Sequence, residues 1–260
     1  MCIVTKQESP GNYSNIVKNV PVNDIIIERS APLGLARMRA IQKVKTEWFA
    51  FIDDDVFLTQ SWFKTIASFI KEDIGAIQGI TFVKGPGENW DRDINAFLFS
   101  SRRTIRELGL GERGWTHNTL LKAAAVKDWK PSRTDLSAWE DYEITQHILK
   151  KGYRWLAVPV DAYHIWSWKK RWNNAIWSMK SYKKIHAKKL WLKVTILHIL
   201  DAFRLLFDWL FLSLPIRTRV YRFPLFGLPF LVGFMPLGAR VWYLYQTIGC
   251  ICGLLKSGYC

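Results

Sequence analysis

The first 165 residues alternate short apolar runs, rich in β-branched side chains, with stretches whose apolar positions recur at helical spacing. Strands are predicted at Cys2–Thr5, Asp24–Ile27, Trp48–Ile52, Ala76–Val83 and Tyr153–Val158. Helices are predicted to begin at Pro32, to cover Ser61–Lys71, and to cover Ser137–Lys151, with Gly152 ending the last one. Strands that lead into helices in this way form an α/β sheet, and ligands usually bind where their carboxyl ends meet.

Three acidic residues, Asp53, Asp54 and Asp55, directly follow the third predicted strand. Like charges this close repel each other unless a cation lies among them. Mg²⁺ and Mn²⁺ are hard cations that take one or two carboxylates together with the phosphates of a substrate. Two interpretations stay open for this segment: a divalent metal site, or a solvated acidic turn before the next helix.

The helix that begins at Pro32 carries Gly34 and Arg37 in its first turns. Free backbone N–H groups at the start of a helix and a permanent cation both suit a diphosphate. The alternative is that Arg37 belongs to a basic surface helix, since Arg39 and Lys43 follow it. A diphosphate site and a solvated helix face both stay open here.

Two more candidate site residues, Asp141 and His164, lie near the end of the predicted sheet. Glu140 and Asp141 begin a helix, and the sequence from Ser137 to Glu140 matches a capping box, in which Glu140 only closes the helix end. Asp141 has no such role and is expected to face the cleft. His164 follows the last strand, and taken alone it is either a structural histidine or a ligand.

Residues 166–260 differ in composition from residues 1–165. The chain has 37 Lys and Arg against 22 Asp and Glu, and 13 of its 15 net positive charges lie after Ile165. The same stretch holds 19 of the 38 aromatic residues. We therefore expect a catalytic domain at 1–165 and a separate region at 166–260. An apolar fraction of 49% over 260 residues excludes a disordered chain.

Nine Lys or Arg, no acid and six aromatic residues lie between Trp166 and Lys193. Such a segment is typical of nucleic-acid binding or of the bilayer interface. The apolar stretches Leu190–Leu214 and Phe223–Leu255 favour the interface. The polar residues of the first share one helix sector, so it is expected to lie in the interface, whereas Ala239–Leu255, at 17 residues, is just long enough to span. We expect a helical region bound to membrane lipids, and no nucleic acid.

The cysteines and the first ten residues give an expectation for the cellular compartment. Four cysteines, at positions 2, 250, 252 and 260, are too few and too clustered for a disulfide framework, which favours a reducing compartment. The first ten residues lack the basic start and apolar run of a signal peptide. The expected location is the cytoplasmic face of a membrane.

The order of the motifs resembles that of the family-2 inverting glycosyltransferases of GT-A fold. These motifs are Gly34-Leu-Ala-Arg37, Asp53-Asp-Asp55, Ile74-Gly-Ala-Ile-Gln-Gly79, Glu140-Asp141 before Gly152-Tyr-Arg, and Val158-Pro with His164. The resemblance covers about residues 1–172. It implies a mixed, Rossmann-like α/β sheet flanked by helices, and transfer of a hexosyl group from a nucleotide-diphosphate sugar with inversion.

The resemblance also implies roles for single residues. Asp55 matches a ligand of a Mg²⁺ or Mn²⁺ ion, and His164 matches a further ligand of that ion or of the diphosphate. Asp53 matches a contact to the nucleotide, and Asp141 matches the catalytic base. Arg37 then becomes a contact to the diphosphate. Three aromatic residues are candidates either for stacking on a sugar ring or for the core: Trp115, Trp139 and Tyr142.

The chain departs from the family pattern at three places, one of which is Met38, where members usually carry Asn after the arginine. Glu28-Arg29-Ser30 stands where members usually carry Asp-Asp-Gly-Ser, so Glu28 is expected to replace the aspartate that reads the base of the nucleotide. Processive synthases carry Gln-x-x-Arg-Trp after the histidine, whereas this chain has Trp168-Lys-Lys-Arg171-Trp172. Arg171 is kept as a predicted nucleotide-sugar contact, but the missing glutamine argues against a processive synthase.

The expected function is sugar transfer to a lipid-linked acceptor, polyprenyl phosphate included, or to a glycan. With a polyprenyl phosphate the acceptor oxygen is already anionic, and Asp141 would orient the acceptor rather than take a proton from it. Two alternatives stay open. One is a nucleotidyltransferase that uses the same carboxylates, and the other is a catalytically inactive module that binds membranes or nucleic acid.

Overall fold

A computed structural model gives the structure of the chain. It describes residues 2–4, 13–84, 105–135, 138–165, 167–185, 196, 221–222, 229–230, 248–249 and 251–252. The chain divides into two compact units, one formed by residues 1–82 and 102–165, the other by residues 83–101 and 166–260.

Strands and helices alternate through residue 165. The strands are β1 (Cys2–Val4), β2 (Ile26–Glu28), β3 (Trp48–Asp53), β4 (Val56–Leu58), β5 (Ile74–Lys84), β6 (Arg106–Glu107), β7 (Asn118–Lys122) and β8 (Arg154–Ile165). The helices are α1 (Tyr13–Asn19), α2 (Leu33–Lys43), α3 (Trp62–Ala67), α4 (Ala123–Val126) and α5 (Glu140–Lys150). The α/β class predicted from the apolar pattern is confirmed.

Eight strands form one mixed sheet in the order β2-β1-β3-β7-β5-β8-β4, with β6 paired to β8. β1 runs parallel to β2 and β3, whereas β7 lies antiparallel between β3 and β5. β8 is antiparallel to β4 and β6. Because β7 runs against β3, its first residue, Asn118, pairs with Ile52 near the carboxyl end of β3.

The central strand β3 is buried on both faces, since successive side chains of a strand point to opposite sides. Phe49 and Phe51 pack with residues of α2 and α5, whereas Ala50 and Ile52 pack with residues of α1 and α3. Each of these four residues is at most 2% exposed. The strand therefore reads as an unbroken apolar run, and its first charged side chain appears where it leaves the core, at Asp53.

Several predicted boundaries differ from the structure, and two of them concern the candidate site. The last strand continues to Ile165 instead of ending at Val158. The last helix of this unit begins at Glu140, and its N-cap is Trp139, which has a φ of 76°. The capping-box interpretation of Glu140 is therefore wrong, because a capping box needs the glutamate in the third position of the helix and Glu140 holds the first. Gly152, with a φ of 83°, follows the helix end as predicted.

In the second unit the structure describes α6 (Trp168–Ile185) and a short antiparallel pair, β9 (Tyr221–Arg222) and β10 (Pro229–Phe230). Along α6, Ala175 and Met179 are buried. A Cβ at Gly249, in the same unit, would lie 3.1 Å from the Cβ of Ala175.

The predicted membrane segments concern this same unit. Over the described ranges, no helix combines the length and the apolar character that crossing a membrane requires. The helices predicted at residues 190–214 and 239–255 lie outside the described residues, apart from single positions. Their membrane role stays a prediction.

Candidate active site

Three strand ends meet at one edge of the sheet. Asp53 ends β3, His117 directly precedes β7, and His164 is the penultimate residue of β8. The backbone N–H of Asp53 donates to the carbonyl of His117 at 3.1 Å, and the N–H of Ile165 donates to the carbonyl of Asp55 at 2.9 Å. Residues far apart in the sequence thus become neighbours at this edge.

Asp55 and His164, the two predicted metal ligands, lie side by side. His164 Nε2 is 2.8 Å from Asp55 Oδ1, and the two side chains are 14% and 18% exposed. Pairing of β4 with β8, which sets Val56 opposite His164, brings them together. The carboxylate suits Mg²⁺ or Mn²⁺, and the imidazole adds a nitrogen ligand. The donor set therefore fits the implied ion, although the residues that the structure describes contain no cluster of three or more His, Cys, Asp or Glu arranged around a metal position.

His117 is a second histidine at this edge, and the sequence patterns do not single it out. Its ring centroid lies 5.6 Å from that of His164 and 5.9 Å from that of Trp115, on which it stacks. Its Nε2 hydrogen-bonds with Thr81 Oγ1 at 2.7 Å. Burial lowers the pKa of His117 to about 4, so the ring is neutral at pH 7.

Arg37 is almost fully buried and joins two acids. Its Nη2 donates to Asp53 Oδ1 at 3.1 Å, and its Nη1 lies 3.3 Å from Glu140 Oε1. The side chains of Arg37 and Glu140 are each 3% exposed, against 29% for Asp53. The guanidinium also lies over the ring of Phe51, 5.4 Å from its centroid. Arg37 thus links the end of β3 to the start of α5, and its contact to a diphosphate stays a prediction.

Glu140 is buried with an incomplete set of partners. Its Oε2 has no hydrogen-bond partner among the residues that the structure describes. Burial raises the pKa of Glu140 to about 7, against the opposing effect of Arg37 and with a contribution from Asp141. The Glu140 carboxyl therefore titrates near neutral pH.

Asp141, the predicted base, is held by Arg113. Arg113 Nε donates to Oδ1 at 2.9 Å and Nη2 donates to Oδ2 at 2.8 Å. The backbone N–H of Tyr142 donates to Oδ1 as well, at 2.8 Å. The Asp141 side chain is 9% exposed, against 33% for Arg113. A two-armed pair of this kind fixes both groups in orientation as well as in position.

Trp139 lies over the same guanidinium. The Arg113 Cζ is 4.6 Å from the centroid of the Trp139 ring, and Tyr142 meets Trp139 edge to face at 6.1 Å. A φ of 76° is strained for so large a residue, at a cost of about 1–3 kcal/mol. Of the three aromatic residues predicted as sugar-stacking candidates, Trp139 therefore lies over Arg113 and Tyr142 contacts Trp139. The third, Trp115, stacks on His117.

The loop that carries Arg113 is fixed through the next residue, Gly114. The N–H of Gly114 donates to Thr145 Oγ1 at 3.0 Å, and a Cβ at this position would come within 2.4 Å of the Trp155 ring. Gln78 Oε1 accepts from the indole of Trp155 at 2.7 Å and from the backbone N–H that follows Gly114 at 2.9 Å. The position of Arg113 is therefore set by packing against α5 and β8.

Glu28 and Arg171, the remaining predicted contacts to the nucleotide sugar, lie in different units. Glu28 accepts from Lys43 Nζ at 2.7 Å and from the N–H of Ser30 at 3.0 Å. Burial alone would raise its pKa, but these hydrogen bonds prevail and lower it to about 2, so Glu28 is charged at neutral pH. Arg171 lies in α6, and its side chain is outside the described residues. Both assignments stay predictions.

Comparison with known proteins bears on the whole of this edge. The sequence model of the family described as Glycosyl transferase family 2 matches residues 2–129, which contain β1 to β7. Residues 2–129 form a glycosyl transferase family 2 domain. No curated protein matches the chain. The matched range of the family 2 model ends before α5, so Asp141, His164 and Arg171 lie beyond it.

A glycosyl transferase family 2 domain makes the chain a glycosyltransferase, and its mixed sheet with flanking helices is the α/β GT-A fold. Members of this family take a nucleotide-sugar donor and an acceptor, and they generally invert the anomeric carbon. They often use a divalent metal ion. The resemblance read from the motifs is confirmed at this level.

Proposed function

We propose that this glycosyltransferase moves a hexosyl group, with inversion and with Mg²⁺ or Mn²⁺, from a nucleotide-diphosphate sugar to a lipid-linked or glycan acceptor at the cytoplasmic face of a membrane. The observation that carries the proposal is the 2.8 Å approach of His164 to Asp55 at the sheet edge where β3 ends. A solvated acidic turn would leave Asp55 in water, whereas its side chain is 18% exposed and faces an imidazole. This supports a ligand site over a simple helix cap.

On the donor side, Asp55 and His164 would hold the metal ion. The ion, when bound, supplies positive charge that stabilises the departing diphosphate. Asp53 is the more exposed acid, and Arg37 fixes its carboxylate for contact with the nucleotide. The charged Glu28 would accept N–H groups of the base, and Arg171 would add a contact to the sugar nucleotide.

Asp141 is the proposed residue of the acceptor side. It directly follows Glu140, and Arg37 links Glu140 to Asp53 on the donor side. Inversion requires the acceptor oxygen to approach the anomeric carbon in line with the leaving group. Asp141 would serve a hydroxyl acceptor as general base, or would orient an acceptor that is already anionic.

A donor panel tests the reaction. The full-length chain is incubated with nucleotide-diphosphate sugars in Mg²⁺, in Mn²⁺ or in EDTA, and release of the nucleoside diphosphate is measured. We expect release from at least one donor, lost in EDTA. Release of pyrophosphate instead would indicate a nucleotidyltransferase. If no donor is cleaved, and UDP and GDP leave the melting temperature unchanged, the proposal is wrong.

Membrane attachment is proposed from charge and aromatic content together. The region after Ile165 carries 13 of the net positive charges and half of the aromatic residues. In its described part, α6 exposes Lys169, Lys184 and Trp177, the last at 51%. A basic side chain near an anionic membrane contributes about 1 kcal/mol, and tryptophan is favoured at the interface.

Vesicle flotation of the full-length chain tests this attachment. We expect binding to phosphatidylcholine vesicles that contain phosphatidylglycerol, and weaker binding to phosphatidylcholine alone. Replacing Lys169 and Lys184 by Glu should weaken binding about tenfold or more. The matched control replaces Lys64 and Lys71, which are exposed in the first unit, and it should have little effect. Failure to bind either kind of vesicle would contradict membrane attachment.

A further inference from the structure

We propose that the acceptor is a phosphate monoester, and that Arg113 receives its phosphate group next to Asp141. This assignment rests on the proposed glycosyl transfer and names the chemical class of its acceptor. It also gives Asp141 a different task from that of a proton acceptor: Asp141 holds the guanidinium in place.

The first argument is the occupancy of the Asp141 carboxylate. Both of its oxygens accept from Arg113, and Oδ1 also accepts from the N–H of Tyr142. These three hydrogen bonds occupy three of the roughly four lone-pair positions of the carboxylate, so only one, on Oδ2, is left to receive a proton from a hydroxyl acceptor. The arrangement therefore suits an acceptor that arrives without a proton to lose.

The second argument is the relative exposure of the two partners. The Arg113 side chain is 33% exposed and that of Asp141 only 9%, so the cation presents most of the pair's accessible surface. A guanidinium carries five N–H donors, and Asp141 uses two of them. The remaining donors suit phosphate oxygens, which arginine binds in the same planar, two-armed manner.

The third argument is that the guanidinium is already oriented. Asp141 fixes it in its plane, and the ring of Trp139, 4.6 Å away, lies against its face. Trp139 has a φ of 76° in this position, in the left-handed region. The fold thus holds a strained residue where it fixes the orientation of Arg113, as expected of a cation prepared for a ligand.

The reaction balances without a protein base. An anionic oxygen of the phosphate monoester attacks the anomeric carbon and forms a new C–O bond. The bond from that carbon to the diphosphate oxygen breaks, and its electron pair leaves with the nucleoside diphosphate. The second ionisation of a phosphate monoester has a pKa of about 6, so the nucleophile is present at neutral pH.

Acceptor competition tests the class. With a donor found in the panel, the full-length chain is offered geranyl phosphate, geraniol, n-butyl phosphate and a neutral oligosaccharide. We expect transfer to geranyl phosphate at least a hundredfold faster than to geraniol. Equal use of n-butyl phosphate would support a soluble phosphate monoester, and preference for geranyl phosphate would support a lipid-borne one. Transfer to geraniol or to the oligosaccharide, but to neither phosphate, would overturn the inference while leaving the glycosyltransferase assignment intact.

Variants of Arg113 test the residue. Arg113→Gln should raise the KM for the phosphate acceptor at least tenfold, and Arg113→Lys should recover part of the loss. Arg106→Gln is the matched control, because Arg106 is exposed and pairs with Glu112, the residue before Arg113, and not with Asp141; the KM of this variant should not change. Stabilisation by the nucleoside diphosphate should persist in all three, which separates acceptor binding from folding and from donor binding.

Asp141→Asn separates the two tasks of the carboxylate. With the phosphate acceptor we expect a loss of kcat below tenfold and an increase in KM, because the guanidinium loses its support. A general base would instead lose about a hundredfold or more in kcat with KM nearly unchanged. That second result would overturn the inference.

Discussion

The guanidinium of Arg37 donates to the carboxylate of Asp53 from a position that is almost closed to solvent. The same guanidinium reaches Glu140 at the start of α5, so one cation holds an acid of β3 and the first residue of the helix that carries Asp141. Removing one member of a buried ion pair leaves an uncompensated charge, and this is why such a link is costly to break.

Arg37→Met should lower the free energy of unfolding by about 3–5 kcal/mol, because it leaves Glu140 buried without its cation. The double variant Arg37→Met with Glu140→Gln should recover part of that loss. Arg39→Met, on the exposed side of the same helix, should change the free energy of unfolding by about 0.5 kcal/mol at most. Urea titrations of the three variants check this. A loss for Arg37→Met no larger than that of the control would contradict the structural link.

The pH dependence of stability should carry the signature of Glu140. Its pKa is about 7 in the folded chain and near 4.5 when unfolded, so the folded state binds the proton more tightly. The stabilisation is complete below about pH 4.5 and is lost as pH rises through about 7. Relative to Glu140→Gln, the wild type should therefore lose roughly 1–3 kcal/mol between pH 5 and 8. The free energy of unfolding of both proteins is measured between pH 5 and 8. If it changes with pH in the same way in both, Glu140 does not titrate in this range.

Asp55→Ala should remove the dependence of nucleotide binding on metal. With Asp55 gone, His164 is left as a single nitrogen ligand, and affinity for UDP or GDP in Mn²⁺ should fall about a hundredfold. Asp54→Ala is the matched control, because it deletes the same charge from the adjacent position. Calorimetric titration with and without Mn²⁺ measures both. If Asp54→Ala loses the metal dependence and Asp55→Ala keeps it, the ligand has been assigned to the wrong acid.

Gly114→Ala should destabilise the fold and displace the loop that carries Arg113. Its Cβ would lie 2.4 Å from the Trp155 ring, which is fully buried and has no room to move. Overpacking of this kind costs about 1–3 kcal/mol. Gly109→Ala in the same loop has its nearest neighbour 3.8 Å away and should be nearly neutral. Thermal unfolding of the two variants checks the difference. Equal melting temperatures would show that the loop accommodates the extra methyl group at position 114 without loss of stability.

The sequence predicts strands where apolar side chains dominate, as they do in β3 and β5 inside the sheet. β3 has no charged residue before Asp53, whereas β5 carries the buried Gln78 among its apolar residues. β7 was missed because it begins with Asn118 and Thr119, whose side chains serve the site edge: Asn118 Oδ1 accepts from Gly79 N at 2.9 Å. The polar residues at the start of β7 therefore hid the strand from a search for apolar runs.

The partners of the predicted residues were harder to foresee than the residues themselves. Asp53, Asp55, Asp141 and His164 lie in motifs that can be recognised locally. Arg113 follows a glycine-containing turn and meets Asp141 across 28 positions of the chain, a contact that exists only once α5 has packed. His117 was missed for the same reason, since its neighbour His164 lies 47 positions further along the chain.

The position of β8 in the sheet also determines when during synthesis the enzyme can begin to work. β8 lies between β5 and β4 and pairs with β6, yet it is the last of the eight strands to leave the ribosome. Until it emerges, its partner strands have open edges, which are the surfaces that chaperones and misfolded neighbours recognise. A nascent chain that already displays Asp53 and Asp55 still lacks His164, so the proposed pair of metal ligands, Asp55 and His164, is complete only after β8 has been translated.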